Sequence, residues 1–508
     1  MMRHIFQLQN LMGSITVLFM TLFLSACSVN KPSTSLVEKI EALPTPLVAN
    51  GRWMTDQQGR VIIFRGVNLV NKNSPYTYLN SGITVEDARI IRSAGMNVVR
   101  LGIIWDAIEP TPGQYNDAYL KDISSTITML KSYGINTLLD MHQDQYSSSC
   151  NGVGAPDWAT IINFAKFPKG CNPNKLPFPK GELTDPSVSD AWDGFWQNKS
   201  SASTGLVGLQ DRYAATWAYV AKSIGNTPGI VGYEIMNEPY PGTVCKAKKL
   251  GDECILFDQR VYAKFIEMVS SKIRNVDSKT LIFFEPSVFF DFGTATHVIP
   301  PSVPNVGFSF HPYLTMSHVL ANAFVYHNKY STSPLLASEW GAFTGDKPLT
   351  EAMVPAEITA GSMRLDKSMM PAIYWTYVNP APASFLPGAY KQGLVWDLNK
   401  PRTAPNLMVD RLNALTWPYP QAVAGTPLEW SFNPERRLFQ MSYDSNSPSG
   451  RRLDVNAFTE IILPPERFKN GYEVFVEGAK VVSPRNADTL VLLNQSDAKI
   501  IKILVKGL

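Results

Sequence analysis

Eight short apolar runs, each apolar in its first half and polar at its C-terminal end, dominate the chain between residues 61 and 378. They are 61–69 (VIIFRGVNL), 96–103 (MNVVRLGI), 135–143 (INTLLDMHQ), 230–239 (IVGYEIMNEP), 280–287 (TLIFFEPS), 306–313 (VGFSFHPY), 334–341 (PLLASEWG) and 372–378 (AIYWTYV). A strand buried on both faces of a parallel sheet reads this way, because helices cover one face and the core fills the other. Helical periodicity lies between the runs at 84–94, 117–132, 211–223 and 258–274, with Thr84 placed to cap the first helix. Strict alternation of eight strands with helices predicts a closed (β/α)₈ TIM barrel over residues 49–417. An open doubly wound sheet would need a glycine-rich phosphate turn after an early strand, and the sequence contains none.

A closed barrel gathers its chemistry at the C-terminal strand ends. Those ends carry Arg100, His142, Asp144, Asn237, Glu238, Glu285, His311, Tyr313, Glu339 and Trp375. Glu238 and Glu339, from the fourth and seventh strands, form the pair that glycosidic cleavage requires. One carboxyl protonates the leaving oxygen while the other attacks the sugar, at a separation of roughly 5–5.5 Å when configuration is retained. Arg100 and Tyr313 are expected to keep Glu339 ionised, whereas the charge of Glu339 favours the protonated form of Glu238. Asn237 is placed to hydrogen-bond the sugar 2-hydroxyl. Asp140 and Glu285 read as supporting groups. No His-Glu-x₂-His zinc motif and no Gly-x-Ser-x-Gly nucleophile elbow occurs, so neither a metal nor a cofactor is expected.

Composition narrows the partners. The chain has 46 basic and 43 acidic residues with no basic run, which argues against nucleic acid. Its 20 Tyr, 11 Trp and 25 Phe suit ligands with flat apolar faces, such as sugar rings and acyl chains, or simply a large core.

Both ends differ from the middle. Beyond residue 418 short alternating segments appear at 428–432, 437–443, 458–463, 471–477 and 488–493, predicting a small antiparallel β-sandwich over 418–508 that braces the barrel. At the N-terminus, Arg3, an apolar stretch from Leu11 to Leu24 and the ending Leu24-Ser25-Ala26-Cys27 read as an export signal. The ending resembles a bacterial lipoprotein box, which implies lipidation of Cys27, anchorage to a membrane and residence at the outer membrane, periplasm or cell surface; an ordinary secretory signal or a single membrane anchor is the alternative. Residues 28–48 then read as a tether. Setting Cys27 aside leaves Cys150, Cys171, Cys245 and Cys254, an even number that permits two disulfides in an oxidising compartment. Pairing 150 with 171 and 245 with 254 closes two local loops, although four cysteines allow three connectivities.

Ile235-Met236-Asn237-Glu238-Pro239, Val99-Arg100-Leu101, His311-Pro312-Tyr313 and Ser338-Glu339-Trp340-Gly341 together resemble the family 5 glycoside hydrolases over about residues 50 to 417. The resemblance implies Glu238 as acid/base, Glu339 as nucleophile, Arg100, His142, Asn237, His311 and Tyr313 as the surrounding network, and Trp375 as a stacking platform. Within the family, Asp140-Met141-His142-Gln143-Asp144-Gln145-Tyr146-Ser147 and Arg65-Gly66-Val67-Asn68 look most like the endoglycoceramidases. That likeness implies a glycolipid substrate, with Asp144 and Lys72 contacting the first sugar. It also implies a lipid-accepting channel lined by the loops 144–210 and 240–257, unless their aromatics fill a core of their own. A β-glucanase, a glycosidase for simpler glycolipids and a non-catalytic carbohydrate-binding protein are the alternatives; a monomer is expected.

Overall fold

The chain enters through three short antiparallel strands, β1 (Val48–Asn50), β2 (Trp53–Thr55) and β3 (Val61–Ile62). It then builds eight parallel strands: β4 (Arg65–Leu69), β5 (Val98–Ile103), β6 (Asn136–Met141), β7 (Ile230–Glu234), β8 (Leu281–Phe284), β9 (Val306–Phe310), β10 (Leu335–Trp340) and β11 (Ala372–Tyr374). Pairing of β11 with β4 closes the ring. This is a computed structural model, and it describes residues 43–508 apart from 246–250, 314–315, 331–332, 343–349, 380–391 and 455. The export signal, Cys27 and most of the proposed tether lie outside the described residues.

Helices form at Val85–Ser93, Asp117–Ser132, Leu209–Ile224 and Ala263–Arg274, where the periodicity places them. Thr84 caps the first, accepting from the Glu86 amide while Asp87 closes the reciprocal bond.

Alternation along the strands sorts the core. Val98, Leu138, Leu336 and Ile373 point into the barrel and meet Phe64 and Phe283, whereas Val99, Leu101, Leu139 and Leu335 pack outward under the helices. The lower plug is completed from an unexpected source. Leu43 and Leu47, read from sequence as the end of a tether, are buried in the same cluster as Val98 and Leu138.

The first apolar run is also divided. Residues 61–69 were expected as one strand, but β3 pairs antiparallel with β12 (Tyr419–Val423) while β4 enters the barrel. The C-terminal part builds two sheets from β12, β13 (Thr426–Asn433), β14 (Leu438–Asp444), β15 (Phe458–Ile462), β16 (Tyr472–Glu477), β17 (Ala479–Val481), β18 (Thr489–Asn494) and β19 (Ile500–Gly507). One has the order β1-β2-β3-β12-β15-β18-β17 and the other β13-β14-β19-β16. The sandwich therefore recruits its outermost three strands from residues 48–62, and its strand β19 was not recognised in the sequence. Asp366, on the helix Val354–Lys367, ties the parts together. Its carboxylate accepts from Trp417 Nε1 at 2.7 Å and Trp430 Nε1 at 2.8 Å, and pairs with Arg65 of β4 at 3.0 Å.

Candidate active site

Arg100 on β5 lies wholly buried at the centre of the barrel mouth, where its register partner on β4 is Asn68. Its guanidinium bonds Glu234 through Nε, Asn68 Oδ1 at 3.0 Å and Glu339 Oε1 at 2.6 Å through Nη1, and Asn237 Oδ1 at 2.9 Å through Nη2. Nη2 also lies 3.0 Å from both Glu285 Oε1 and Asp140 Oδ1. Burial opposes the charge of Arg100, but the four carboxylates around it raise its pKa well above the usual value. A planar fork with five donors suits this task where an ammonium would not.

Glu339 sits near the end of β10, 4% exposed. Leu335 and Ala337 face outward, so unbroken alternation would send Glu339 outward too. The β10–β11 register shifts between Ala337 and Trp340, and this irregularity turns Glu339 into the mouth. Its second oxygen accepts from the Tyr313 hydroxyl at 2.7 Å. Burial first, and then the Glu339 charge, push the Tyr313 pKa well up, so the phenol stays a donor.

Glu238 follows β7 and is 9% exposed. Its φ of +40° is a left-handed conformation that a residue with a side chain adopts only when its surroundings enforce it. They do so at both ends of the peptide: the Glu238 amide donates to Glu285 Oε2 at 3.1 Å, and its carbonyl accepts from Gln143 Nε2 at 3.1 Å. Gln143 also donates to the Asn237 carbonyl at 2.9 Å, while Asn237 Nδ2 returns a bond to the Gln143 carbonyl.

The two glutamates meet across His311. One carboxylate oxygen of each and one His311 nitrogen all lie within 4.8 Å of one another. His311 Nδ1 is 2.7 Å from Glu238 Oε1 and 3.8 Å from Glu339 Oε2, and Nε2 is 3.3 Å from Glu285 Oε2. Burial disfavours the imidazolium, yet Glu285 and Glu339, with hydrogen bonds to Glu238 and Glu285, raise the His311 pKa well above the ordinary value. Burial lifts Glu285 to about 7 against the opposing pull of His311. A separation below 5 Å suits direct attack on a sugar carbon and leaves no room for an intervening water of the inverting kind.

A second arm borders this pair. Trp375 stacks on His142 with ring centroids 5.7 Å apart, and Lys72 Nζ lies 4.5 Å from the Trp375 ring and 2.5 Å from Asp144 Oδ2. His142 Nδ1 is held by Asp140 at 2.7 Å. Burial works against the Asp144 charge, but Lys72 and His142 hold its pKa below the usual carboxylate range.

All ten sequence-derived site residues therefore converge on one mouth. Asn68, Gln143, Glu234 and Asp291 belong to it as well. Asp291 accepts from the His311 amide at 2.9 Å. Glu234 lies one helical-looking step before Glu238 in a run of apolar residues, and nothing local marks it as inward-facing. Among the described residues a further close group, Asp140, Glu234 and Glu285, has the geometry to hold a cation, but the Arg100 guanidinium already bonds all three.

Cys150 is bonded to Cys171 and Cys245 to Cys254, the local pairing. The loop aromatics divide unevenly between the two expected uses. Trp192, Phe195, Trp196 and Phe257 are buried, Trp192 stacked on Trp196 and the other contacts among them and with Tyr213 and Phe265 edge-on, so they form a core and not an open channel. Phe164 and Leu256 remain at the surface, 64% and 40% exposed.

Residues 55–379 match the family described as Cellulase (glycosyl hydrolase family 5), and residues 418–505 match the Glycoside hydrolase family 5 C-terminal domain. The chain is 26% identical to the Endoglycoceramidase of Cyanea nozakii over 481 residues, 87% of this chain and 89% of that protein. It is 27% identical to Endoglycoceramidase I of Rhodococcus hoagii, covering 87% of this chain and 85% of that one. The solved structure of endo-glycoceramidase II from Rhodococcus sp., as a lactosyl-enzyme intermediate, superposes with a TM-score of 0.67 at 25% identity, covering 92% of this chain and 100% of that chain. With the barrel, the paired carboxylates and a family match that spans most of the chain, the protein belongs to glycosyl hydrolase family 5 and is a glycoside hydrolase.

Proposed function

We propose that the enzyme is a retaining endo-glycosidase that cleaves the β-glycosidic bond between the oligosaccharide and the ceramide of glycosphingolipids. The observation that carries the chemistry is the approach of Glu238 and Glu339 to within 4.8 Å across His311. Glu339, held by Arg100 and Tyr313, is the nucleophile. It attacks the anomeric carbon as Glu238 passes a proton to the departing ceramide oxygen, giving a glycosyl-enzyme ester. With Oε1 engaged by His311, Oε2 of Glu238 is the oxygen left to carry that proton. Glu238, now ionised, takes a proton from water as the water oxygen displaces Glu339, and the sugar leaves with its original configuration. Asn237 bonds the 2-hydroxyl, Trp375 offers a stacking face, and Lys72, His142 and Asp144 hold the first sugar.

The glycolipid assignment draws on the endoglycoceramidase relatives, which align along nearly their whole length. Mass analysis of products from a glycosphingolipid panel tests it. Free ceramide with an intact oligosaccharide is the expected result. Shortening of soluble β-glucans with glycolipids untouched overturns the substrate, and removal of single terminal sugars overturns the endo mode.

We further propose that the enzyme is exported and anchored as a lipoprotein through Cys27, as a monomer at the bacterial envelope. Two disulfides in the catalytic part support an oxidising compartment. Labelled fatty acid is expected in the wild-type protein and absent from Cys27→Ser; equal labelling sinks the anchor.

A further inference from the structure

A groove of about 640 Å³ runs from Lys72 to Trp396 along one side of the mouth. Its walls come from the loop after β4, which supplies Asn71, Asn73 and Thr77, and from the segment after β11, which supplies Trp396 and Asp397. The volume lies within the roughly 300–1,000 Å³ typical of ligand pockets. Amides and hydroxyls interleaved with one open indole are the lining that a sugar chain needs, since each ring presents an apolar face and a rim of hydroxyls.

Both walls are held in place from behind. Val395 bridges Val378 on one side and Leu407 on the other, and the Trp396 amide donates to the Asn406 carbonyl at 2.9 Å. The indole is nevertheless 48% exposed, unlike Trp192, Trp217 and Trp340, which are buried. On the opposite wall Asn71 Nδ2 donates to the Thr77 carbonyl at 2.7 Å and to Ser81 Oγ at 3.2 Å, and Asn71 Oδ1 accepts from the Asn73 amide. Such bracing fixes the backbone that carries the indole and the facing wall, which lowers the entropic cost of ordering the groove on binding.

The groove also lies on a definite side of the reaction. Lys72 both lines it and pairs with Asp144 beside Trp375, so it joins the groove to the place assigned to the first sugar. The leaving group departs past Glu238, which follows β7, whereas the groove is built by the elements after β4 and β11. We propose that this groove binds the third and later sugars of the substrate glycan, with Trp396 as their stacking face, so that the enzyme favours headgroups longer than a disaccharide.

This proposal rests on the glycosidase reading, and its test separates the two. Wild type and Trp396→Ala are compared on the aryl β-glycosides of a disaccharide and a tetrasaccharide, which remove the lipid from the measurement. Wild type is expected to prefer the tetrasaccharide, and the substitution to lower the ratio of the two kcat/KM values roughly tenfold, the scale of one aromatic stacking contact. Trp396→Phe should restore most of the ratio. No preference in the wild type, or an equal fall on both substrates, overturns the subsite. Should neither glycoside be hydrolysed, the reaction assignment fails, and calorimetry with the free tetrasaccharide and disaccharide decides the groove: tighter binding of the longer glycan, lost in Trp396→Ala, sustains it, and equal binding refutes it.

Discussion

Arg100 Nη1 lies 2.6 Å from Glu339 Oε1, and the same guanidinium reaches three further carboxylates and two asparagines. One cation thus orients Glu339, the proposed nucleophile, Asn237, the proposed partner of the sugar 2-hydroxyl, and Glu285, which braces the Glu238 amide. A buried charge shared in this way has consequences that can be measured separately for chemistry and for stability.

Replacing Glu339 by Gln removes the attacking oxygen while keeping shape. Turnover should fall by about 10⁴-fold or more, with glycan binding largely retained. Measurement of kcat and of glycan Kd on the same preparation checks this; an unchanged rate would reassign the nucleophile.

Glu238→Gln should lose far more on substrates with poor leaving groups than on activated aryl glycosides, because a good leaving group needs no proton. The comparison of kcat/KM on a glycolipid and on a dinitrophenyl glycoside reads the difference. Equal losses would contradict an acid role.

Arg100→Met leaves Asp140, Glu234, Glu285 and Glu339 buried without their cation. Unfolding free energy should drop by about 3–5 kcal/mol, the cost of removing one partner from a buried ionic network. Arg100→Lys should recover part of the stability but little activity, since an ammonium cannot serve the six acceptors that surround the planar guanidinium. Chemical denaturation and kcat together test both statements.

Glu182 is wholly buried beside Trp192, and burial, followed by the charges of Glu238 and Asp144, raises its pKa well above the usual value. The folded protein therefore keeps a proton that the unfolded chain releases near pH 4.3, so the contribution is full below that pH and is lost as pH rises toward the folded value. Glu182→Gln, neutral at every pH, should gain Tm relative to wild type between pH 5 and 8, by roughly 2 °C or more. A constant difference across that range would show that Glu182 is already ionised.

Asp366→Ala strips the partners from Trp417, Trp430 and Arg65 at the junction of barrel and sandwich. A loss of about 3 kcal/mol or more is expected, with the glycosidase pH profile unchanged. Denaturation monitored by tryptophan fluorescence reports it directly.

The amino-acid sequence by itself determined the barrel, its helices and which residues gather at its mouth. A two-sided burial pattern repeated eight times admits few architectures, and motifs such as Asn237-Glu238-Pro239 and His311-Pro312-Tyr313 carry their meaning locally. Tertiary structure decided what depends on distant pairing. Strands β1–β3 join a sheet whose other members begin more than 350 residues later, Leu43 and Leu47 turn from apparent tether into plug, and Glu234 gains its role only because Arg100, two strands away across β6, reaches it. Whether the loop aromatics fill a core or line a channel was likewise open, because composition reports that apolar surface must be covered but not by what. Only the closed ring, in which side chains hundreds of residues apart share one low-dielectric space, settles which partner each buried charge and each ring acquires.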